Sequence, residues 1–219
     1  MKRTSICLFL AAGMLMLSGC SNPFAPKKHT PEGNGGGPPA PDATTPEILM
    51  DNLHRAMRER DKDLYESLLD PDFWFTETDC QGDLILANGF EEEIAIMGGS
   101  RDESQPGVFD IFRTFEFDFT LIRRSIELGA DYPEAYEGDP DGHPDEDWEV
   151  FRGRVEMLLL ESSNEGFKVD QTMTYKLRLT DAGVWKIIRW IDDPLAGDCD
   201  TGKPVADFTS WGGLKQSIR

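Results

Sequence analysis

The chain predicts an α+β domain, with helices first and long antiparallel strands after them, and three observations carry that expectation. Between Phe167 and Thr180, the residues Phe167, Val169, Met173, Tyr175, Leu177 and Leu179 share one parity. Lys168, Asp170, Thr172, Thr174, Lys176 and Arg178 share the other. Successive strand side chains point to opposite faces, so this stretch predicts a strand with one buried and one wet face. Residues 148–161 repeat the pattern, with Phe151, Val155, Met157 and Leu159 on one side. The third observation is helical: Ile48, Leu49, Leu53, Ala56 and Met57 form one apolar face at helical spacing.

The elements follow in order. Thr45-Pro46-Glu47 reads as a helix start, with Thr as cap, Pro in the first turn and an acid near the positive end. Asp61 caps a second helix bearing Leu64, Tyr65, Leu68 and Leu69, which Pro71 stops. Phe73, Trp74 and Phe75 predict a strand, Gln81-Gly82-Asp83 a turn, and Leu84-Ile85-Leu86 a return strand. Asn88 is the expected cap of a third helix containing Ile94, Ile96 and Met97, ended by Gly98-Gly99. Phe115, Phe117, Phe119 and Leu121 alternate with polar neighbours, and the apolar phase then shifts to Ile122 and Ile126, which predicts a bulge. Asp181-Ala182-Gly183 turns the chain into a last strand, Val184 to Ile191.

The N-terminus carries a different message. Met1-Lys2-Arg3 precedes about a dozen apolar residues, too few to span roughly 30 Å of hydrocarbon as a helix. Such a stretch suits a signal peptide, here residues 1–19. It ends in Leu17-Ser18-Gly19-Cys20, which resembles the lipobox of bacterial lipoproteins. That resemblance implies a lipid on Cys20, anchorage to a membrane in the cell envelope, and, from Ser21, the outer membrane, facing the periplasm or the surface. The alternative is a plain secreted protein in which Cys20 is incidental. Residues 20–44 are rich in Pro and Gly and read as the anchor and a flexible tether. Residues 45–193 form the expected domain, with 194–219 a tail packed on it.

Charge narrows the partners. The formal charge of the whole chain is −19, and removal of the leader takes away Lys2 and Arg3, while the tether is neutral. The domain therefore repels phosphate backbones, and nucleic-acid binding is excluded. Cys80 and Cys199 remain after the leader is cleaved and Cys20 is lipidated. Outside the cytoplasm an even pair suggests a disulfide; two separate thiols are the alternative.

Two helices, a short hairpin, a third helix and long antiparallel strands resemble the nuclear transport factor 2-like (NTF2-like) fold, including its SnoaL and ketosteroid isomerase-like members. The residues that carry the resemblance are Met57-Arg58-Glu59-Arg60-Asp61, Leu68-Leu69-Asp70-Pro71-Asp72-Phe73 and Trp185-Lys186-Ile187-Ile188-Arg189-Trp190. Ser210-Trp211-Gly212-Gly213-Leu214-Lys215 looks like the tail of lipoproteins of this type. The resemblance implies a cone, three N-terminal helices on a curved antiparallel sheet, with an apolar pocket between them. Aligned with the isomerase-like members, Glu77 stands where a carboxylate takes a proton, but Leu53 stands where a tyrosine supports the oxyanion.

Candidate sites are accordingly few. Phe73, Phe75, Phe117, Phe119, Tyr175 and Trp190 either line a pocket or fill it. Residues 131–149 hold nine carboxylates and no Lys or Arg, and read as an insertion between two strands. Asp139, Asp141, Asp145 and Asp147 there offer hard oxygen ligands suited to calcium. A solvated acidic loop is the alternative. His29, His54 and His143 are scattered, so no zinc cluster is expected. No cofactor is expected beyond calcium in that loop. The sequence thus predicts a non-catalytic envelope module that binds a small apolar ligand or assembles, including as a homodimer across the open sheet. An isomerase or dehydratase acting on a small apolar molecule, with Glu77 as base, is the alternative.

Overall fold

A computed structural model describes residues 38–81, 83–101, 104–133, 142–162, 165–193 and 210–218. The helix start at Thr45 is as the sequence predicts: its hydroxyl accepts the Ile48 amide, and α1 runs Pro46–Glu59. Its apolar face, Leu49, Leu53, Ala56 and Met57, is fully buried. Arg60 closes the helix in the left-handed region (φ 55°), and Asp61 caps α2, Lys62–Leu68, by accepting the Leu64 amide at 3.0 Å. β1 (Leu69–Thr78) and β2 (Leu84–Gly89) form the hairpin, with Asp79 Oδ1 accepting the Gln81 and Asp83 amides in its turn.

α3 is Phe90–Gly98. Its cap is Gly89, not Asn88, because β2 continues through Asn88, which pairs with Phe75 and is buried. A short α4, Val108–Ile111, follows, then β3 (Thr114–Glu127), β4 (Trp148–Leu160), β5 (Gly166–Leu179) and β6 (Trp185–Asp192). A further helix, α5, spans Trp211–Ile218. The helices therefore exceed the three expected: α4 and α5 were not foreseen.

The six strands make one sheet in the order β2-β1-β6-β5-β4-β3. It is mixed, since β1 runs parallel to β6 while every other pair is antiparallel. The bulge appears where the phase change predicts it, as a register shift between Leu121 and Arg123. One face of the sheet, with the inner faces of the helices, buries a single apolar core that includes Phe75, Phe117, Val155, Met173, Tyr175 and Trp190. On β5 the buried phase extends to Gln171, which sequence parity left unassigned, while Phe167 and Leu179 at its ends are exposed.

The outer face is charged. Arg154 bonds Asp170 and Glu156, and Arg152 bonds Asp193. At one end it also holds the last part of the acidic insertion. His143 is buried and stacked between Trp148, at 3.8 Å, and Tyr132, at 5.0 Å. Lys176, expected on the wet face, is buried there and pairs with Glu127 at 3.1 Å. Arg178 ties the patch to the start of β1 by bonding Asp70, Asp72 and Glu146.

Gly153 shows how closely β3 and β4 approach. A β-carbon there would overlap the Phe119 ring and lie 2.6 Å from the Thr120 carbonyl oxygen. Gly153→Val is expected to destabilise the domain by about 2 kcal/mol or more, since backbone on one side cannot yield. Equilibrium urea unfolding checks this.

Candidate functional site

The interior of the cone is where the resemblance places a pocket, and α5 occupies it. Trp211 and Leu214 join the apolar core, and Lys215 is fully buried. Each wall residue is positioned by an element already described. The Asp61 cap orients α2 so that Tyr65 is buried, and α3 presents Glu93 inward, its Oε1 accepting the Tyr65 hydroxyl at 2.7 Å. The parallel register of β1 on β6 sets Phe75 beside Trp190 and Glu77 beside Asp192. Two inward carboxylates thus stand on neighbouring strands.

α5 answers both carboxylates. Asp192 accepts the Gly212 amide at 3.1 Å and the Trp190 indole N–H at 3.0 Å. Gln171 accepts the Trp211 amide at 2.8 Å. Ser210 Oγ accepts the Gly213 amide, so the helix start is capped by its own chain and by the sheet together. Glu77 lies against Gly212, where any β-carbon would overlap its carboxylate, and it is hydrogen-bonded to Ser210. Glycine at 212 is what allows the helix to seat this deeply.

One turn later the Lys215 ammonium meets both oxygens of Glu93, each at 2.8 Å. It sits 3.5 Å from the centroid of the Phe75 ring, with Trp190 and Trp211 5.2 and 5.1 Å away. A primary ammonium is therefore held by a bidentate carboxylate against aromatic faces, both favourable in a desolvated setting.

Burial sets the titration of these groups. It pushes the Asp192 carboxyl well above the ordinary range, opposed by Lys215 and reinforced by Glu77. It raises Glu77 as well, against the Ser210 hydrogen bond and Lys215. Burial pulls the Lys215 ammonium below the usual lysine range, against Glu93 and Asp192. Tyr65 is pushed well up by burial and by Glu93.

Phe73, Phe75, Phe117, Tyr175 and Trp190 are buried and Phe119 partly so, and all six fill the core rather than line an open chamber. Their rings meet mostly edge to face, as at Phe119–Tyr175 and Phe75–Trp190. Glu77 does point into the cone, but α5 covers it. Leu53 is buried core, and the Tyr65 hydroxyl donates its proton to Glu93. Asp145 is exposed, and Asp147 accepts the Gly129 amide at 2.9 Å; Asp139 and Asp141 lie outside the described residues. Among the described residues no group of three or more His, Cys, Asp or Glu is arranged to hold a metal. Cys80 lies in the turn between β1 and β2, whereas Cys20 and Cys199 lie outside the described residues. Among the described residues no helix is long and apolar enough to cross a membrane.

Sequence reasoning missed Tyr65, Glu93, Asp192 and Lys215 as one cluster. The signal it did contain was Ser210 to Lys215, a run with two glycines beside a tryptophan and a lysine. A groove of about 220 Å³ lined by Glu92, Ala95, Ile96, Ser100, Gln105, Pro106 and Ile218 lies beside the last turn of α5.

No family model matches the chain, and no curated protein does. Solved structures similar to it include a protein from Novosphingobium aromaticivorans provisionally assigned as an aromatic ring hydroxylase. The two share 18% identity over 73% of this chain and 92% of that one, with a TM-score of 0.46. A conserved protein from Planctomyces limnophilus is similar at 16% identity, over 67% of this chain and 91% of that one, with a TM-score of 0.45. An NTF2-like protein of unknown function in nutrient uptake from Rhodospirillum rubrum is similar at 15% identity, over 68% and 97%, with a TM-score of 0.41.

Two outcomes test the site. Lys215→Met leaves Glu93 buried without its cation and is expected to cost about 3–5 kcal/mol, most of it recovered in Lys215→Met/Glu93→Leu; urea unfolding of the four-member cycle reads this. Raised carboxyl values mean that the native state holds protons the unfolded chain releases, so their contribution to stability is present at low pH and is lost as pH rises through the folded values. From about pH 8 to about pH 5, wild type is therefore expected to gain stability relative to Glu77→Gln. A loss over that window contradicts the assignment.

Proposed function

We propose that this is a non-catalytic, NTF2-like binding module of the cell envelope, tethered to a membrane through lipid on Cys20. In this reading its binding chamber is the cone, and its own C-terminal helix is the resident occupant. The observation that carries the reading is α5 itself, seated where a substrate would have to lie, with Gly212 against Glu77 and Lys215 on Glu93. A base that is covered by its own chain is poorly arranged for turnover, and the buried Tyr65 hydroxyl is already committed to Glu93. The charged outer face, with Arg154 on Asp170 and Arg152 on Asp193, disfavours a dimer made sheet to sheet.

α5 is held by contacts of an exchangeable kind. Among the described residues no backbone–backbone hydrogen bond joins it to another element; it is held by side chains and by amides given to Gln171 and Asp192. A disulfide between Cys80 and Cys199 belongs to the same reading. It would fix the segment that leads into α5 to the end of β1, and so limit how far the helix travels. Intact mass of the non-reduced domain, lighter by two hydrogen atoms than the reduced form, is the expected sign.

The chamber is tested by expelling the helix. Leu214→Asp puts a charge in the core position of α5 and is expected to open the cone to one equivalent of an apolar fluorescent dye, while cooperative unfolding is kept. Wild type is expected to bind none. If the variant stays folded and still excludes the dye, the cone has closed on itself and the binding reading is wrong. Tethering is read separately: wild type is expected in the membrane fraction and Cys20→Ser in the soluble one.

A further inference from the structure

We propose that the cone is a site for a protonated primary alkylamine, and that Lys215 occupies it as a ligand in cis. This rests on the binding reading above and gives it a ligand class.

The cradle has the parts that an alkylammonium requires. Glu93 offers both oxygens at 2.8 Å, and Tyr65 fixes that carboxylate by donating to Oε1 at 2.7 Å. The Phe75 ring lies 3.5 Å below the nitrogen, and Trp190 flanks it. Both carboxylate bonds use N–H donors, so a primary ammonium fits and a quaternary one does not.

A second observation is independent of the first. The cone contains more acid than Lys215 needs. Glu93 alone takes the ion pair, yet Glu77 and Asp192 stand beside it on adjacent strands, both buried. Burial of a carboxylate is costly, and an apolar residue at either position would relieve that cost. If α5 leaves, three carboxylates and one tyrosine face a chamber with no cation of its own. That is a receptor for positive charge, which its tail satisfies for the time being. The groove beside Ile218 lies at the C-terminal end of α5, and Glu92 in its wall has the same sign.

The consequence is competition. An external amine must displace Lys215, so the apparent affinity of the intact chain is reduced by the fraction of molecules with the site open. Removing the resident ammonium should lift that reduction.

The test uses the full chain with Lys215→Ala, and n-propylamine, which replaces the atoms removed. Calorimetry at neutral pH is expected to show the amine binding at least about tenfold more tightly to the variant than to wild type. The variant's thermal midpoint is expected to rise toward the wild-type value with the amine, and not with n-propanol or trimethylpropylammonium at equal ionic strength. Lys215→Ala/Glu93→Gln is expected to lose the response. Should Lys215→Ala be unfolded alone, far-UV circular dichroism reads the same question, and recovery with the amine only is expected. A folded variant that ignores the amine, an equal response to the alcohol, or no recovery of an unfolded one overturns the proposal. Dye entry in Leu214→Asp with no amine response in Lys215→Ala would leave the chamber standing and remove only its ligand class.

Discussion

A lysine ammonium cannot be buried in an apolar cone unless a carboxylate is buried with it, and the rest of this structure is arranged round that constraint. Lys215 and Glu93 are both fully buried, and their side chains meet at 2.8 Å. Either one alone would be an unpaired buried charge costing several kcal/mol, a large share of the stability of a domain. The pair therefore acts as a condition on assembly: α3 and α5 are in place together or the interior is left with an unpaired charge. Tyr65 extends the condition to α2, since its hydroxyl is bonded to the same carboxylate. Three helices from distant parts of the chain thus share one electrostatic centre. Apolar packing of Trp211 and Leu214 supplies attraction, while the ion pair supplies registry.

The parallel pairing of β1 with β6 does the complementary work on the sheet side. A hairpin strand that folded back antiparallel on its neighbour would present a different order of side chains to the interior. As it is, Phe75 meets Trp190 and Glu77 meets Asp192, so an aromatic layer lies next to an acidic one. The aromatic layer receives the lysine stem and head, and the acidic layer receives the amides at the start of α5. Negative charge near a helix N-terminus is favourable in its own right, which offsets part of the cost of burying Asp192. The outer face is managed differently, by exposed Arg–carboxylate pairs that hold net charge in water. The end near Trp148 departs from this, for there His143 is buried and stacked on the Trp148 ring.

Much of the framework was legible. Alternation fixed the β5 interior at Val169, Met173, Tyr175 and Leu177, caps located α1 and α2, and the phase change at Ile122 located the bulge. These signals are local, and local geometry decides them. The site was legible only in its apolar half. Glu93 lies in an acidic run, Glu91-Glu92-Glu93, that reads as a solvated helix start, and Lys215 lies 122 residues away. Nothing in either neighbourhood announces the other, since the pair exists only after the sheet has formed between them. His143 is the same case: alone in sequence it resembles any loop histidine, and its stacking partner Trp148 supplies the meaning. Lys176 was assigned to water by parity, which is right about the face and silent about what later covers it. Glu77 was found through resemblance, but the helix that covers it was not foreseen and changes what its inward orientation means.

The central claim is that the Lys215 side chain lies inside the cone over Phe75. Proton NMR of the folded domain reads this without any substitution. Methylene protons next to an aromatic face are displaced upfield by the ring, so the δ and ε resonances of Lys215 should lie well upfield of those of an exposed lysine and show cross-relaxation to the Phe75 ring protons. Lys215 resonances at the ordinary positions of a solvated lysine, with no cross-relaxation to Phe75, would contradict the account.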